Sequence, residues 1–305
     1  MMTRRPIPVR GSHHLRREEG GKVREQKSLH VSVMPGQTLD ALALHRGEVV
    51  VDATFGAGGH SAAIKKAAKV TLVTLDADPA AGASLTANFG DLAKVLKKEG
   101  VTSVDKVLLD LGWNRGQLAS GRGFSFLYDE PLSMSYGPEP RSGYNAQEML
   151  NTFSEKVLAD IFYGYGEERY ARRIAKAVVE RRKGKKFETT IELVEVIKDA
   201  VPPAYRHGRL HPATRSFQAL RIAVNDELRV LEDGLRAAWK LLACKGRIVV
   251  ITFHSTEDRI VKHLFKEFSG KLVYKKPLVP TATETKENPS ARSAKLRTIE
   301  KICHE

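Results

Sequence analysis

The chain has 305 residues, enough for one large domain or two modest ones, and 42% of them are hydrophobic. No run of about 18 or more consecutive apolar residues occurs, so the sequence predicts neither a membrane-spanning helix nor a membrane partner. Fifty Lys and Arg against 36 Asp and Glu give a net charge of +14. This excess favours a polyanionic partner, with nucleic acid as the leading candidate.

Cysteine content bears on the compartment. Only Cys244 and Cys303 occur, too few for a disulfide framework and without the second pair that a zinc site needs. We therefore predict a reducing compartment, the cytoplasm, and no metal site.

The first 28 residues hold eight basic and three acidic side chains with almost no apolar periodicity. This composition predicts a flexible basic arm over residues 1–28. A transit peptide is the alternative, because the first 17 residues contain arginine and no acid. Glu18, Glu19 and the missing apolar face argue against it.

The first folded elements have the periodicity of an α/β protein. Residues 47–61 predict a β-branched strand, a glycine-rich turn and an Ala/Lys-rich helix. Further strands are predicted over residues 70–75 and 104–109, each followed by an aspartate, and a short one over 84–89 after an unusually compressed connection. Strands alternating with helices indicate a doubly wound, Rossmann-like parallel sheet.

After residue 116 the strand pattern is interrupted. Residues 117–211 predict an inserted helical domain, with helices over 146–161, 167–182 and 190–200. A long amphipathic helix over 216–242 then leads into a strand over 247–253, and the tail from 272 to 302 predicts a closing antiparallel hairpin. The main domain is therefore predicted to be discontinuous, formed by residues 29–116 and 212–305.

The glycine-rich turn is a candidate cofactor site. Glycines 56, 58 and 59 let a ligand approach the backbone, and the helix that follows offers free N–H groups. Asp52 and Asp76 end neighbouring strands, where carboxylates accept hydrogen bonds from ribose. A nicotinamide dinucleotide would need glycine at Ser61, and a carboxylate beside the turn suits a sulfonium better than a pyrophosphate. We therefore expect S-adenosylmethionine.

A series of longer motifs carries a family resemblance. Asp-Ala-Thr-Phe-Gly-Ala-Gly-Gly-His-Ser at 52–61 resembles the cofactor motif of the MraW, or RsmH, family of ribosomal RNA cytidine N4-methyltransferases. Matching motifs follow in order over residues 30–301: Leu-Asp-Leu-Gly at 109–112, Arg-Gly-Phe-Ser-Phe at 122–126, Tyr-Gly-Glu-Glu-Arg at 165–169, His-Pro-Ala-Thr-Arg at 211–215, Phe-Gln-Ala-Leu-Arg-Ile at 217–222, Phe-His-Ser at 253–255, Glu-Asp-Arg-Ile-Val-Lys at 257–262 and Ser-Ala-Lys-Leu-Arg at 293–297.

The resemblance implies a class I methyltransferase sheet and methylation of a cytidine N4 amine in the decoding region of small-subunit ribosomal RNA. The substrate would be that RNA or the assembled small subunit. The cofactor contacts that it implies are Gly58, Gly59 and His60 at the turn, Asp76 on the ribose, Phe89 beside the adenine, and Asp110 and Gln117 near the methyl donor.

This chain departs from the family pattern at three places. Asn114-Arg115-Gly116 replaces Ser-Ser-Pro, Ser133-Met134-Ser135 replaces Asp-Met-Arg, and the segment after Asp76 is shortened. Ser133 and Ser135 favour one alternative function, a non-catalytic ribosome-assembly factor that binds S-adenosylmethionine and retains the fold. A nicotinamide-dependent oxidoreductase is a weaker alternative.

On the substrate side, several groups suit RNA. Asp110 or Asn114 would hold the amine, and His254 follows a returning strand where ligands bind. Four aromatic or cationic side chains could stabilise a base that is turned out of the RNA. The alternative is that they only anchor a hydrophobic loop. They are Arg122, Phe124, Phe126 and Tyr128. A basic cluster on the inserted domain suits phosphates, although some of its members could pair with nearby glutamates: Arg169, Arg172, Arg173, Lys176, Arg181, Arg182, Lys183, Lys185 and Lys186.

Overall fold

The computed structural model describes residues 32–113 and 115–303, so the predicted basic arm and Asn114 lie outside the described residues. Seven strands form one sheet. They are β1 (Val49–Asp52), β2 (Thr71–Asp76), β3 (Leu85–Thr86), β4 (Val104–Asp110), β5 (Leu242–Thr252), β6 (Gly270–Leu272) and β7 (Lys295–Lys301).

The order across the sheet is β3-β2-β1-β4-β5-β7-β6. Strands β1 to β5 are parallel, and β7 is antiparallel to both β5 and β6. The reversal between β1 and β4 is the point at which doubly wound sheets bind ligands. The predicted doubly wound, Rossmann-like sheet and its closing antiparallel hairpin are confirmed.

Helices cover both faces of the sheet and fill the long β4–β5 connection. None within residues 32–113 or 115–303 is long and apolar enough to cross a membrane. In chain order they are α1 (Pro35–Leu42), α2 (Gly59–Ala67), α3 (Leu92–Lys98), α4 (Arg115–Leu118), α5 (Ala146–Thr152), α6 (Glu155–Gly166), α7 (Ala171–Arg181), α8 (Thr190–Ala200), α9 (Pro203–Arg206), α10 (Thr214–Asn225), α11 (Glu227–Leu241), α12 (Ser255–Glu267) and α13 (Ala282–Glu287).

Three apolar clusters account for the packing. Alternate residues of the central strands point to opposite faces, so Val51 and Val107 belong to one cluster while Val50 and Leu108 belong to another. The third cluster holds α5 to α8 together. It also includes Phe217 of α10, which lies beyond residue 211, so the domain division at that residue remains a proposal.

Two of the predicted long helices are wrong in extent. The helix predicted over 146–161 is divided by Phe153 and Ser154, because the Ser154 side chain caps α6 by accepting a hydrogen bond from Val157 N. The helix predicted over 216–242 is divided at Asp226, whose φ of 49° is left-handed. Aspartate tolerates that conformation better than most residues, and the apolar periodicity on either side conceals the break.

The other predicted helix and strand boundaries differ less from the observed ones. The helix predicted from residue 167 begins only at Ala171, because Glu167 has a left-handed φ of 50° and ends α6. Helix α8 spans the predicted residues 190–200. The strand predicted over 84–89 shrinks to β3, and the connection from β2 to β3 holds only the short 3-10 helix Pro79–Ala81, as its length required.

The two cysteines are joined in a single disulfide, with their Cα atoms 5.2 Å apart. A disulfide differs from the prediction of a reducing compartment, which was based on the small number of cysteines. The antiparallel register of β5 and β7 explains it. Arg247 lies opposite Glu300 where this pairing ends, and Cys244 and Cys303 each lie three residues beyond that pair, at the same end of the two strands.

Candidate functional site

A cavity of about 640 Å³ opens at the carboxyl ends of β1, β2, β4 and β5. Loops after these strands line one side, and residues from α10 and α11 line the other. A doubly wound sheet leaves such a crevice at its switch point because the connections on either side diverge there. All of the resemblance-based cofactor positions except Gly58 line it: Gly59, His60, Asp76, Phe89, Asp110 and Gln117.

The turn after β1 is held by internal hydrogen bonds. Gly58 has a φ of 77° and caps the amino end of α2, a conformation that glycine adopts without strain. The Asp52 carboxylate is 1% exposed and accepts hydrogen bonds from Ser61 Oγ at 2.6 Å and Thr54 N at 3.3 Å. The expectation that Asp52 serves a ligand is therefore wrong: Asp52 does not line the cavity, and it fixes the turn.

Asp76 ends β2 and faces the cavity. Its two carboxylate oxygens accept hydrogen bonds from Gly56 N at 2.7 Å and Asp78 N at 2.8 Å. Burial raises the pKa of Asp76 above its ordinary value. The backbone donors thus fix the carboxylate, and each oxygen retains a lone pair for a ribose hydroxyl.

Phe89 is half-buried, lines the same cavity as Asp76 and packs against α11. A Cβ built on Gly234 of that helix would lie 2.6 Å from Phe89 Cδ2 and 3.0 Å from Phe89 O. Glycine at 234 is therefore required for the aromatic ring to reach its place in the cavity wall.

Gly234→Ala is expected to raise the dissociation constant for S-adenosylmethionine about tenfold, because Phe89 must move by several tenths of an ångström. Gly164→Ala on α6 is the matched control, since a Cβ there meets nothing within 4 Å. Calorimetric titration of both variants makes the comparison. Equal affinity of Gly234→Ala and the unmodified chain would remove Phe89 from the cofactor wall.

Asp110 and His60 form the centre of the cavity floor. The Asp110 backbone N–H donates to Thr54 Oγ1 at 2.6 Å, which fixes the end of β4 beside the turn. His60 Nε2 lies 3.3 Å from Asp110 Oδ2, an ion-pair distance without hydrogen-bond alignment. Asp110 Oδ1 is buried and has no hydrogen-bond partner among the described residues, and such an acceptor needs a partner from a ligand or water.

Charge on this pair depends on pH. Burial lowers the pKa of His60, but the neighbouring carboxylates of Asp110 and Asp52 outweigh it and raise the pKa above the ordinary 6.5. Below the raised pKa the imidazolium therefore neutralises Asp110, and above it the carboxylate stands unopposed.

We expect the affinity for S-adenosylmethionine to rise roughly tenfold as the pH passes upward through the pKa of His60, because a lone carboxylate attracts the sulfonium more strongly. S-adenosylhomocysteine has the same amino acid moiety without the sulfonium charge and should show a weaker dependence. His60→Gln should flatten the difference between the two ligands. An unchanged difference in that variant would contradict the assignment.

The far wall contains a buried ionic network that the sequence analysis missed except for His254. Arg221 is 7% exposed and forms a bidentate pair with Glu227, through Nε at 2.8 Å and Nη2 at 2.9 Å. His254 caps α12 by accepting from Glu257 N at 3.4 Å, and its Nε2 lies 3.0 Å from Glu257 Oε1. Tyr136 Oη is buried with no hydrogen-bond partner among the described residues.

The pKa values of the ionisable side chains in this wall depend on their charged neighbours. Burial raises the pKa of Glu257, but His254 and Arg221 more than offset it, so the pKa lies below the ordinary value. Burial, together with the charges of Glu227 and Glu257, raises the pKa of Tyr136 well above 10, although the Arg221 charge acts against it. The wall therefore presents a guanidinium, two carboxylates and a neutral phenol.

One group in this wall has the composition of a metal site. Glu227, His254 and Glu257 each offer a ligand atom, all within 4.8 Å of one another. Their oxygens already serve other partners, because Arg221 takes both oxygens of Glu227 and the Phe253 N–H takes Oε2 of Glu257 at 3.0 Å. We interpret the group as an ionic network.

The charges of the cavity suit a cationic cofactor. Four carboxylates and two guanidinium groups line it, namely Asp76, Asp110, Glu227, Glu257, Arg221 and Arg292. A pyrophosphate would meet mostly like charge, whereas a sulfonium would meet opposite charge. The orphaned Asp110 oxygen and the fixed Asp76 carboxylate fit S-adenosylmethionine.

The four residues proposed to stabilise an extruded base do not present one open surface. The Arg122 guanidinium lies 5.4 Å from the centroid of the Phe124 ring. Arg122 bonds to the Asp78 carboxylate and to the carbonyl oxygens of Ser135 and Tyr136. Phe124 is buried, and Phe126 stacks on a histidine of the next loop. Only Tyr128 is exposed. Trp113, 43% exposed in the cavity wall, is an aromatic surface that sequence reasoning missed.

The chain is similar to known proteins over most of its length. The model of the MraW methylase family matches residues 27–302. Proteins named ribosomal RNA small subunit methyltransferase H are 45% identical in Carboxydothermus hydrogenoformans, over 90% of this chain and 98% of that protein, and 45% identical in Trichormus variabilis, over 92% and 94%. A solved rRNA methylase from Streptococcus thermophilus covers 88% of this chain and 95% of its own, with 10% identity and a TM-score of 0.40, too distant for inference.

Proposed function

Because this chain belongs to the MraW methylase family, we propose that it methylates the N4 amino group of a cytidine in small-subunit ribosomal RNA. It is a methyltransferase that uses S-adenosylmethionine. The observation that supports the choice of an amine is the Asp110 carboxylate, which lines the cavity and whose Oδ1 has no hydrogen-bond partner in the described chain. The relatives named for small-subunit ribosomal RNA support the choice of substrate. We propose the cytoplasm as its location.

Methyl transfer to the N4 amine depends on the orientation of the amine more than on its activation by a strong base. The N4 lone pair is delocalised into the ring, so the amine must be turned toward the methyl group that the bound cofactor supplies. Asp110 would accept a hydrogen bond from the amine, increase its electron density, and take the proton that is lost as the N–C bond forms. His60 and Thr54 would hold Asp110 in place. Asn114, the other candidate acceptor, lies outside the described residues.

Analysis of the methylated nucleoside tests the proposal. Small subunits that lack the modification would be incubated with labelled S-adenosylmethionine, and the RNA digested and separated by mass spectrometry. We expect N4-methylcytidine. Label in 5-methylcytidine or in a ribose methyl group would overturn the assignment to the amine.

The basic cluster on the inserted segment is partly engaged within the protein. Lys183 pairs with Glu180 at 2.7 Å and Lys185 with Glu192 at 2.6 Å, and Arg182 donates to the Leu150 carbonyl oxygen at 2.6 Å. Exposed pairs leave some positive potential but reduce it locally. A phosphate-binding role is therefore less strongly indicated for residues 182–185 than the sequence suggested.

A different surface suits RNA better. The ring of Phe126 stacks on His211 with centroids 4.6 Å apart, which brings the loop after 126 beside the loop before 211. Tyr128 is 62% exposed in the first loop, and Leu210 is 39% exposed in the second. Arg209 adds a cation without an ion-pair partner within the described ranges. We call these three exposed side chains, Tyr128, Arg209 and Leu210, the aromatic-basic surface, and we propose that RNA next to the target crosses it.

The double variant Tyr128→Ala with Arg209→Ala is expected to weaken subunit or RNA binding about tenfold or more and to lower its salt dependence, because one stacking contact and one phosphate contact are lost. Tyr163→Ala is the control, since Tyr163 is 70% exposed on α6. Cofactor affinity should not change in either variant. Filter binding at several salt concentrations measures the effect, and equal RNA affinity of the double variant and the control would contradict it.

A further inference from the structure

The far wall of the cavity contains a cation whose hydrogen-bonding capacity is only partly used. Arg221 is 7% exposed and lines the cavity, and its Nε and Nη2 donate hydrogen bonds to Glu227. Nη1 has no hydrogen-bond partner among residues 32–113 and 115–303. A buried guanidinium keeps its charge, so its unused N–H groups need an acceptor from a ligand or water.

Arg221 is held in position from several sides. Asn225 Nδ2 donates to the Arg221 carbonyl oxygen at 2.8 Å, and Asn225 Oδ1 accepts from Tyr136 N at 2.8 Å. Glu227 begins α11 and fixes the guanidinium plane through two parallel hydrogen bonds. Such a fork limits rotation of the guanidinium, which leaves Nη1 as a preorganised donor.

Asp110 and Arg221 therefore offer opposite hydrogen-bonding character to one cavity. The first is an acceptor at the end of β4, and the second is a donor on α10. The Watson–Crick edge of cytosine has this polarity: a donating amine at N4, followed by acceptors at N3 and O2. Uracil presents an acceptor at O4 and a donor at N3, so its N3–H would oppose the guanidinium.

We propose that Arg221 reads the target base by donating to N3 of the pyrimidine while Asp110 holds N4. This inference rests on the proposed function and assigns it a specificity-determining residue. Glu227 acts as a positioning residue, because it orients the guanidinium. Tyr136, whose Oη has no partner among the described residues, adds a neutral phenol to the lining of the same cavity.

An RNA substrate with 3-deazacytidine at the target position tests the contact, because it keeps the N4 amine and replaces the N3 acceptor with C–H. The unmodified chain should methylate this RNA with a kcat/KM roughly ten- to a hundredfold below that of cytidine RNA, the effect of one hydrogen bond to a charged group. In the double variant Arg221→Met with Glu227→Gln, cytidine RNA should fall by a similar factor, and the two substrates should become equivalent.

The double variant removes both charges of the pair, which avoids leaving Glu227 buried and uncompensated. Glu227→Gln alone keeps Arg221 but removes the carboxylate that orients it, so its discrimination should lie between those of the unmodified chain and the double variant. Thermal melting and S-adenosylhomocysteine binding report whether each variant folds. A purely structural role of Arg221 would lower stability without changing the ratio between the two RNAs.

Two outcomes would overturn the inference while leaving the proposed function intact. One is equal methylation of cytidine and 3-deazacytidine RNA by the unmodified chain, and the other is full discrimination in the folded double variant. Binding of RNA with uridine at the target offers a measurement without variants, and affinity equal to that of cytidine RNA would also overturn it. Absence of N4-methylcytidine altogether would instead mean that the proposed function itself has failed.

Discussion

Asp110→Ala is expected to lower kcat/KM for methyl transfer about a hundred- to a thousandfold. The variant removes the acceptor that orients the amine and takes its proton, an effect of the size measured when one preorganised polar group is lost from an active site. Binding of S-adenosylhomocysteine should weaken much less, because the ribose and adenine contacts remain. Single-turnover transfer at saturating cofactor separates the chemical step from binding.

Asp40→Ala serves as the control for loss of a carboxylate, since Asp40 is exposed on α1 and does not line the cavity. Transfer within a few fold of the unmodified chain by Asp110→Ala would show that another group holds the amine. His60 would then lose its assigned role as well, because its only described partner in the cavity floor is Asp110.

Asp76→Ala is expected to raise the dissociation constant for S-adenosylhomocysteine about a hundredfold or more. Two charge-assisted hydrogen bonds to the ribose would be lost, each worth roughly 1.5 to 3 kcal/mol, and the N–H groups of Gly56 and Asp78 would lose their acceptor. Adenosine alone should lose affinity by a similar factor, because the effect arises at the ribose. Isothermal titration with both ligands measures it.

Asp91→Ala is the matched control for this change. Asp91 follows Phe89 closely in the chain, but its carboxylate pairs with Arg141 outside the cavity. If Asp76→Ala weakened S-adenosylhomocysteine and left adenosine unaffected, the cofactor would lie in the cavity in a different orientation.

Parts of the site that depend on local sequence were predictable. The β1 strand, the glycine turn and the first turn of α2 are contiguous, so the motif at 52–61 placed Gly59 and His60 correctly on the cavity wall. Asp76 and Asp110 were placed because each directly follows a strand, and parallel strands align their carboxyl ends. Their roles as cofactor contacts remain predictions until binding is measured.

Other parts depend on contacts between distant segments. The role of Asp52 was misjudged because a carboxylate at a strand end can face a ligand or satisfy the turn, and Ser61, nine residues later, decides between the two. The pair of Arg221 and Glu227 forms only because the helix breaks at Asp226, and the continuous amphipathic pattern hid that break. Tyr136 joins this wall through Asn225, 89 residues away.

Catalytic turnover on small ribosomal subunits is the measurement that tests the account most directly. Subunits lacking the modification would be mixed with a small fraction of one equivalent of the protein and excess labelled S-adenosylmethionine, and methyl groups would be counted per subunit. We predict incorporation that approaches one methyl group per subunit, all of it recovered as N4-methylcytidine. Cofactor binding and stoichiometric subunit binding without any methylated nucleoside would contradict the account and identify a non-catalytic assembly factor.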